Sequence, residues 1–157
     1  HMKTIDVGKM CKISESGNNN SEYVLDVIAL EETDYGFINF QFGASIDQDC
    51  CESNALDSID YNHFDEVEER ISNRWGIDYK EQINVTKKVV DYIEFETSDD
   101  CEEEDEDCYN TGGWIKISIV LDDGQRLTAE YSNYHNGYYA HGVSVSENGD
   151  VIYEGIY

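Results

Sequence analysis

Residues 114–131 read W-I-K-I-S-I-V-L-D-D-G-Q-R-L-T-A-E-Y, which is two segments of strand-favouring residues joined by a turn. Isoleucine, valine and tyrosine are enriched in β-strands. Asp123-Gly124 is a dipeptide that closes tight hairpins, because glycine tolerates the positive φ that such turns need. Residues 138–157 show the same arrangement around Asn148-Gly149. We therefore expect the second half of the chain to form an antiparallel meander.

The first half of the chain indicates further strands. The segments 3–13, 22–30 and 36–42 are rich in branched and aromatic residues. The tripeptide Asp34-Tyr35-Gly36 between the last two segments favours a hairpin. A further strand is expected over residues 83–95, whose valine, isoleucine and phenylalanine content is high.

Residues 62–75 form the segment with the clearest helical spacing. Phe64, Val67 and Ile71 fall on one face of a helix, Asn62 can act as the N-cap, and Gly76 follows as a stop. The predicted fold class is therefore α+β: an antiparallel β-sheet meander with one main α-helix packed on a face. We expect a single domain over residues 2–157, with an acidic loop near residues 98–112.

The composition is strongly acidic. The 157 residues include 35 Asp and Glu against 10 Lys and Arg, which gives a formal net charge of −25 at pH 7. Disordered acidic chains are poor in aromatic residues, whereas this chain has 12 Tyr, 5 Phe and 2 Trp, so we expect it to fold. A charge of this size repels nucleic acid and anionic membranes and attracts basic surfaces. The sequence therefore argues against direct binding of DNA, RNA or a membrane and favours a basic protein partner.

The densest acidic segment is residues 99–108, D-D-C-E-E-E-D-E-D-C, here called the acidic run. Adjacent carboxylates repel each other, so one interpretation is a solvated loop between two strands. A second interpretation is an acidic surface that resembles the phosphates of duplex DNA, with one charge per about 1.7 Å, and occupies a basic groove on a partner. The candidate partner-binding residues are the carboxylates of the predicted helix, those of the acidic run, and two tyrosines as aromatic anchors: Asp65, Glu66, Glu68, Glu69, Asp99, Asp100, Glu102, Glu103, Glu104, Asp105, Glu106, Asp107, Tyr138 and Tyr139.

Cysteine and histidine residues offer a second hypothesis, a metal site. Cys50 and Cys51 are adjacent, unlike the C-x₂₋₄-C spacing of structural zinc sites. Either of them could join Cys101, Cys108, His135 or His141 in space. Asp47, Asp49 and Glu52 are candidate oxygen ligands for a divalent ion, without the spacing of an EF-hand. The sequence contains no nucleotide-binding, metalloprotease or serine-hydrolase motif. We therefore predict no enzymatic activity, no cofactor and no catalytic or metal-binding residues.

The remaining cysteines flank the acidic run. Cys101 and Cys108 are separated by six residues, all acidic. A disulfide there would close the neck of the loop, but cytosolic thiols are kept reduced, so we expect both to be free. The redox state of this pair stays open on sequence grounds.

Two short motifs resemble those of a family of small uncharacterised phage and prophage proteins. These motifs are Asp49-Cys50-Cys51-Glu52 and Asn136-Gly137-Tyr138-Tyr139, and the resemblance covers residues 36–145. The family's usual Gly-Asp-Leu after the cysteines is missing here. The resemblance implies no catalytic residues, and it implies a phage-like origin. Small acidic inhibitors of host defence nucleases are a class of phage protein that resembles this chain in size and charge.

The resemblance and the charge together give the function expected from the sequence. We expect a phage or mobile-element inhibitor that binds the basic nucleic-acid-binding groove of a host nuclease, with a CRISPR–Cas effector as the first candidate. The expected compartment is the host cytoplasm, because the sequence has no long apolar run and no visible signal peptide. The alternatives are a small metal-binding protein or enzyme that uses the Cys and His residues, and an acidic phage accessory protein.

Overall fold

The computed structural model describes residues 2–17, 22–47, 52–98, 112–135 and 141–157, which form one antiparallel sheet of ten strands. The strands in chain order are β1 (Met2–Ser16), β2 (Glu22–Ala29), β3 (Asn39–Ser45), β4 (Glu52–Asp57), β5 (Glu66–Arg74), β6 (Ile77–Thr97), β7 (Gly113–Leu121), β8 (Arg126–His135), β9 (Gly142–Glu147) and β10 (Asp150–Ile156). Neighbouring strands follow the order β10-β9-β3-β2-β1-β6-β7-β8-β4, and β5 pairs only with β6.

The core lies on one face of this sheet. Successive side chains of a strand point to opposite faces, and on β2 the buried Tyr23, Leu25 and Val27 alternate with more exposed residues. The sheet rolls around this face, because two strands far apart in the order meet. Asn133 on β8 donates a 3.0 Å hydrogen bond to the carbonyl oxygen of Tyr157, just after β10. The sheet therefore encloses a single core, and its opposite face is here called the outer face.

The predicted hairpins of the meander are confirmed. Asn148 and Gly149 both have positive φ, 54° and 84°, and form the two-residue turn between β9 and β10. Gly124, with φ of 87°, closes the turn between β7 and β8, where its N–H donates to the carbonyl of Leu121. The predicted hairpin around Asp34-Tyr35-Gly36 is also present, since β2 and β3 pair antiparallel on either side of it.

The predicted helix at residues 62–75 is wrong, and the α+β class is therefore also wrong: the described residues form an all-β fold. Strand β5 covers most of that segment, and the 3₁₀ turn Tyr61–His63 is the only helical element in the part of the chain that the structure describes. Val67 and Ile71 are four residues apart, a spacing that suits both one face of a helix and one face of a strand. Strand β4 lies in a segment for which the sequence predicted no strand. None of the described residues forms a helix with the length and apolar character needed to cross a membrane.

Strand β6 is the longest element, and its two ends have different neighbours. Its pairing with β1 begins at Asn84 and its pairing with β7 begins at Val90. Residues 77–83, roughly 23 Å of extended chain, pair only with β5. Residues 66–83 therefore form a two-stranded hairpin that continues past the end of β1, and we call it the β5–β6 arm.

Candidate functional site

The four carboxylates predicted to lie on a helix are found on or directly before β5, and all four are exposed. Strand geometry separates them, because neighbouring side chains point to opposite faces. Glu66 and Glu68 lie on one face of the arm and Glu69 lies on the other. Asp65 precedes the strand and accepts a 2.6 Å hydrogen bond from the hydroxyl of Thr86. The structure therefore brings these carboxylates together in a short segment without aligning them on one surface.

The base of the arm is held against the outer face of β1 and β2. Lys12 Nζ lies 3.1 Å from Glu68 Oε2, and Ile83 on the same face of the arm is buried. Burial raises the pKa of Asp26 on β2 above its usual range, while the nearby charge of Arg70 on β5 acts in the opposite direction. These contacts fix the position of the arm. They leave Glu66 and Glu69 outside the four ion pairs found among the described residues.

The tip of the arm carries an exposed tryptophan in a left-handed backbone conformation. Trp75 is 96% exposed and has φ of 58°, and with Gly76, φ of 75°, it forms the two-residue turn between β5 and β6. Turns of this kind favour Asn, Asp or Gly at both positions. A bulky residue in this conformation costs about 1–3 kcal/mol, and the exposed indole returns little of that cost through packing. We therefore regard Trp75 as a candidate contact residue.

The surroundings of Trp75 differ in character from the rest of the chain. Residues 70–77 contain no carboxylate, although more than a fifth of all residues are acidic. Ile71 and Ile77 in this stretch are also exposed, and Arg70 and Arg74 are basic. Asp78 on the opposite strand pairs with Asn73 and accepts a 2.8 Å hydrogen bond from its amide, so the tip combines apolar side chains with charges of both signs.

Replacing Trp75 with asparagine should leave the protein folded and no less stable. Asparagine tolerates the left-handed conformation, so Trp75→Asn relieves backbone strain and removes little packing. We expect the free energy of unfolding, from urea denaturation, to stay unchanged or rise by up to about 1 kcal/mol. A loss of more than about 1 kcal/mol would mean that the indole packs in the folded protein.

A second feature is an open depression on the outer face across β6, β7 and β8, which we call the outer-face depression. Its volume is about 310 Å³. The register aligns Glu96, Lys116 and Glu130 in one row across the three strands, and Trp114 lies opposite the small Ser132 in the next row. The residues lining it are Glu96, Trp114, Lys116, Glu130, Ser132 and Tyr134.

A carboxylate lies within the core at Glu15, which is 2% exposed. It follows Cys11 and Ile13 on the inward face of β1. Its Oε2 accepts hydrogen bonds from the Tyr23 hydroxyl and, at 2.9 Å, from the backbone N–H of Ile59. Burial raises the pKa of Glu15, and the two hydrogen bonds act in the opposite direction. Burial and the Glu15 charge raise the pKa of Tyr23, so the phenol remains a donor. The bond to Ile59 holds the segment after β4 against the core.

His141 belongs to a polar cluster where the rolled sheet closes. Its Nδ1 lies 3.2 Å from the hydroxyl oxygen of Ser45 on β3, and its backbone exchanges two hydrogen bonds with Tyr157. The hydroxyl groups of Tyr153 and Tyr157 are 2.6 Å apart, and the ring of Tyr157 stacks on that of Tyr131. These contacts join β3, β8, β9 and β10, so we assign the cluster a structural role.

Several residues singled out from the sequence lie outside the described residues. They are the acidic run 99–108, the tyrosines Tyr138 and Tyr139, and the cysteines Cys50, Cys51, Cys101 and Cys108, and the side chain of His135 is likewise not described. Within the described ranges, no three His, Cys, Asp or Glu side chains are grouped to hold a metal ion. Cys11 is buried and free, and burial raises the pKa of its thiol to about 11, which makes it a poor nucleophile. The metal-based alternative stays a prediction.

The sequence matches the family described as a domain of unknown function, DUF7448, over residues 39–145. The chain belongs to the DUF7448 family. Expected membership of an uncharacterised family is confirmed, whereas the phage origin stays a prediction. No curated protein and no solved structure matches the chain. The segment matched to DUF7448 begins at the first residue of β3 and ends within β9, so it includes both the β5–β6 arm and the outer-face depression.

Sequence reasoning missed Trp75, Trp114 and Tyr134. For Trp75 the available signal was the Trp-Gly pair followed by alternation at Ile77 and Tyr79, which together indicate a turn and a strand. For Trp114 and Tyr134 the signal was strand alternation. Both residues fall on the face of the hairpin opposite to the face of its buried isoleucines. Exposure of large aromatic side chains on a sheet face is typical of contact surfaces.

Proposed function

We propose that this protein binds a basic nucleic-acid-binding surface of another protein and inhibits it by occupying that surface. The observation that carries the proposal is an excess of carboxylates with no internal partner. The chain has a net charge of −25, and only four ion pairs occur in the described part of it. A folded protein pays for such self-repulsion in stability, and a basic partner relieves it.

The β5–β6 arm supports the proposal with a shape suited to a groove. It is a two-stranded ribbon that extends past the end of β1, and Glu66 and Glu69 are exposed on its opposite faces. Glu69 lies on the face turned away from β1 and β2, and Glu66 is exposed at the base of the arm, so both can contact a basic partner. The exposed Trp75 at the tip adds an aromatic anchor of the kind enriched at binding hot spots.

Complementary charge also defines how association should behave. A partner that normally neutralises phosphates would replace its counterions with these carboxylates, so affinity should fall steeply with salt. Nucleases with basic grooves are the first partners to test, and a CRISPR–Cas effector as the particular target stays a prediction from the sequence.

The proposal is tested by passing a panel of purified nucleases, CRISPR–Cas effectors included, over the immobilised protein and measuring which of them it retains. We expect retention of at least one nuclease at about 50 mM salt and its release at about 500 mM. Polyglutamate of similar charge is the control, and it should retain that nuclease more weakly. Retention of none, or retention that salt does not change, would contradict the proposed function.

A further inference from the structure

The outer-face depression combines carboxylates with exposed aromatic rings. Glu96 and Glu130 lie in the row on either side of Lys116. Trp114 is half-buried in the neighbouring row, and Tyr134, 57% exposed, lies two residues from Ser132 on the same face of β8. Ser132 is small, so the space over the indole stays open. The result is a hollow of about 310 Å³ with acidic and aromatic walls.

The carboxylates of this face are poorly compensated within the protein. Glu130 lies directly opposite Asp57 on β4, and like charges in opposite positions of an antiparallel pair are destabilising. None of Glu96, Glu130 and Asp57 takes part in an ion pair among the described residues, and neither does Lys116. A cation that enters the depression therefore gains two carboxylate partners without breaking an existing ion pair.

We propose that the outer-face depression binds an arginine side chain of the basic partner, an inference that rests on the proposed function. A guanidinium is planar, so it stacks on an indole face while its N–H groups bond carboxylates in a fork geometry. Trp114 supplies the stacking surface, and Glu96 and Glu130 supply the acceptors.

Arginine fits this site better than lysine does. The lysine ammonium is compact, strongly hydrated and unable to bond a carboxylate through a planar fork. Lys116 lies between the two glutamates in the sheet register and takes part in none of the ion pairs of the described residues. Its flexible stem allows it to move aside, but its charge opposes any incoming cation.

The test uses the full chain and the blocked peptide Ac-Gly-Arg-Gly-amide as the probe. The protein has two tryptophans, so Trp75→Phe leaves Trp114 as the only indole, and its fluorescence reports binding. We expect a saturable change in emission with a dissociation constant of about 1–10 mM. The lysine peptide should bind at least about threefold more weakly, and the citrulline peptide, which has no charge, should give no saturable change.

Substitutions in the same background locate the site. Glu96→Gln with Glu130→Gln should weaken the arginine peptide at least about fivefold, whereas Lys116→Gln should strengthen it about twofold to threefold. Glu154→Gln on β10, an exposed glutamate outside the depression, should change nothing. Equal responses to all three peptides, or no effect of the Glu96 and Glu130 substitutions, would overturn the proposal.

The nuclease-retention experiment and the peptide experiment together distinguish failure of the arginine site from failure of the proposed function. Retention without arginine-peptide binding would refute the arginine site alone. Peptide binding without retention on any nuclease would refute the proposed function and leave the arginine site standing.

Discussion

Reversing two charges on the arm, Glu66→Lys with Glu69→Lys, should weaken binding to the basic partner at least about tenfold at 50 mM salt. Both side chains are exposed on β5, and neither takes part in a described ion pair, so the substitutions leave the Lys12–Glu68 contact in place. Strand pairing with β6 already holds them in position, and binding therefore costs little ordering entropy. The dissociation constant, measured by fluorescence anisotropy, checks the expected loss.

Two comparisons make this result specific. Asp150→Lys with Glu154→Lys on β10 changes the net charge by the same amount at exposed positions away from the arm, and it should weaken binding less than about threefold. Deleting residues 102–107 of the acidic run should also weaken binding less than the arm reversal does. If the β10 substitutions or the deletion raise the dissociation constant as much as the Glu66 and Glu69 reversal does, the arm is not the main contact.

Replacing Glu15 with alanine should lower the free energy of unfolding by about 3 kcal/mol. The substitution leaves two buried donors, the Tyr23 hydroxyl and the Ile59 N–H, without their acceptor. Glu15→Gln is the matched control, because its amide oxygen can accept the same hydrogen bonds, and it should change stability by less than about 1 kcal/mol. Urea denaturation of the three proteins checks this order. Equal stability of the alanine variant and the natural protein would contradict the assigned role.

The raised pKa of Glu15 also sets the direction of a pH effect. A carboxyl whose pKa is higher in the folded than in the unfolded state binds its proton more tightly when folded, so its contribution favours folding at low pH. Relative to Glu15→Gln, the natural protein should lose stability as pH rises from its ordinary pKa of 4.5 through the raised value. Denaturation midpoints between pH 4.5 and 7.5 give the stability of the natural protein minus that of Glu15→Gln. We expect this quantity to fall as pH rises, and a rise with pH would contradict the assigned direction.

The meander could be read from the sequence because its signals are local. Asp123-Gly124 and Asn148-Gly149 need positive φ at glycine, and the flanking residues favour strands on their own. The pairing of β3 with β9 could not be read in this way, because it joins residues about a hundred positions apart and depends on how the sheet rolls.

The arm was mistaken for a helix because its apolar residues satisfy two periods at once. Val67 and Ile71 share a face in either structure, and charged residues between them suit a solvated helix as well as a solvated strand. The partner strand decides the outcome, since residues 77–85 alternate strongly and pair along the whole of β5. The burial of Glu15, by contrast, could have been predicted from the sequence, because its alternation with Cys11 and Ile13 places its side chain on the core face of β1.

Competition with nucleic acid tests the central claim most directly. The nuclease identified in the retention experiment is first bound to a labelled DNA duplex. The acidic protein is then added in increasing amounts, and the fluorescence anisotropy of the duplex reports its displacement. We expect complete displacement at about 50 mM salt, and a concentration for half-displacement that rises at least about tenfold for the Glu66 and Glu69 reversal. A ternary complex, in which the duplex stays bound while the protein also binds, would contradict occupation of the basic groove.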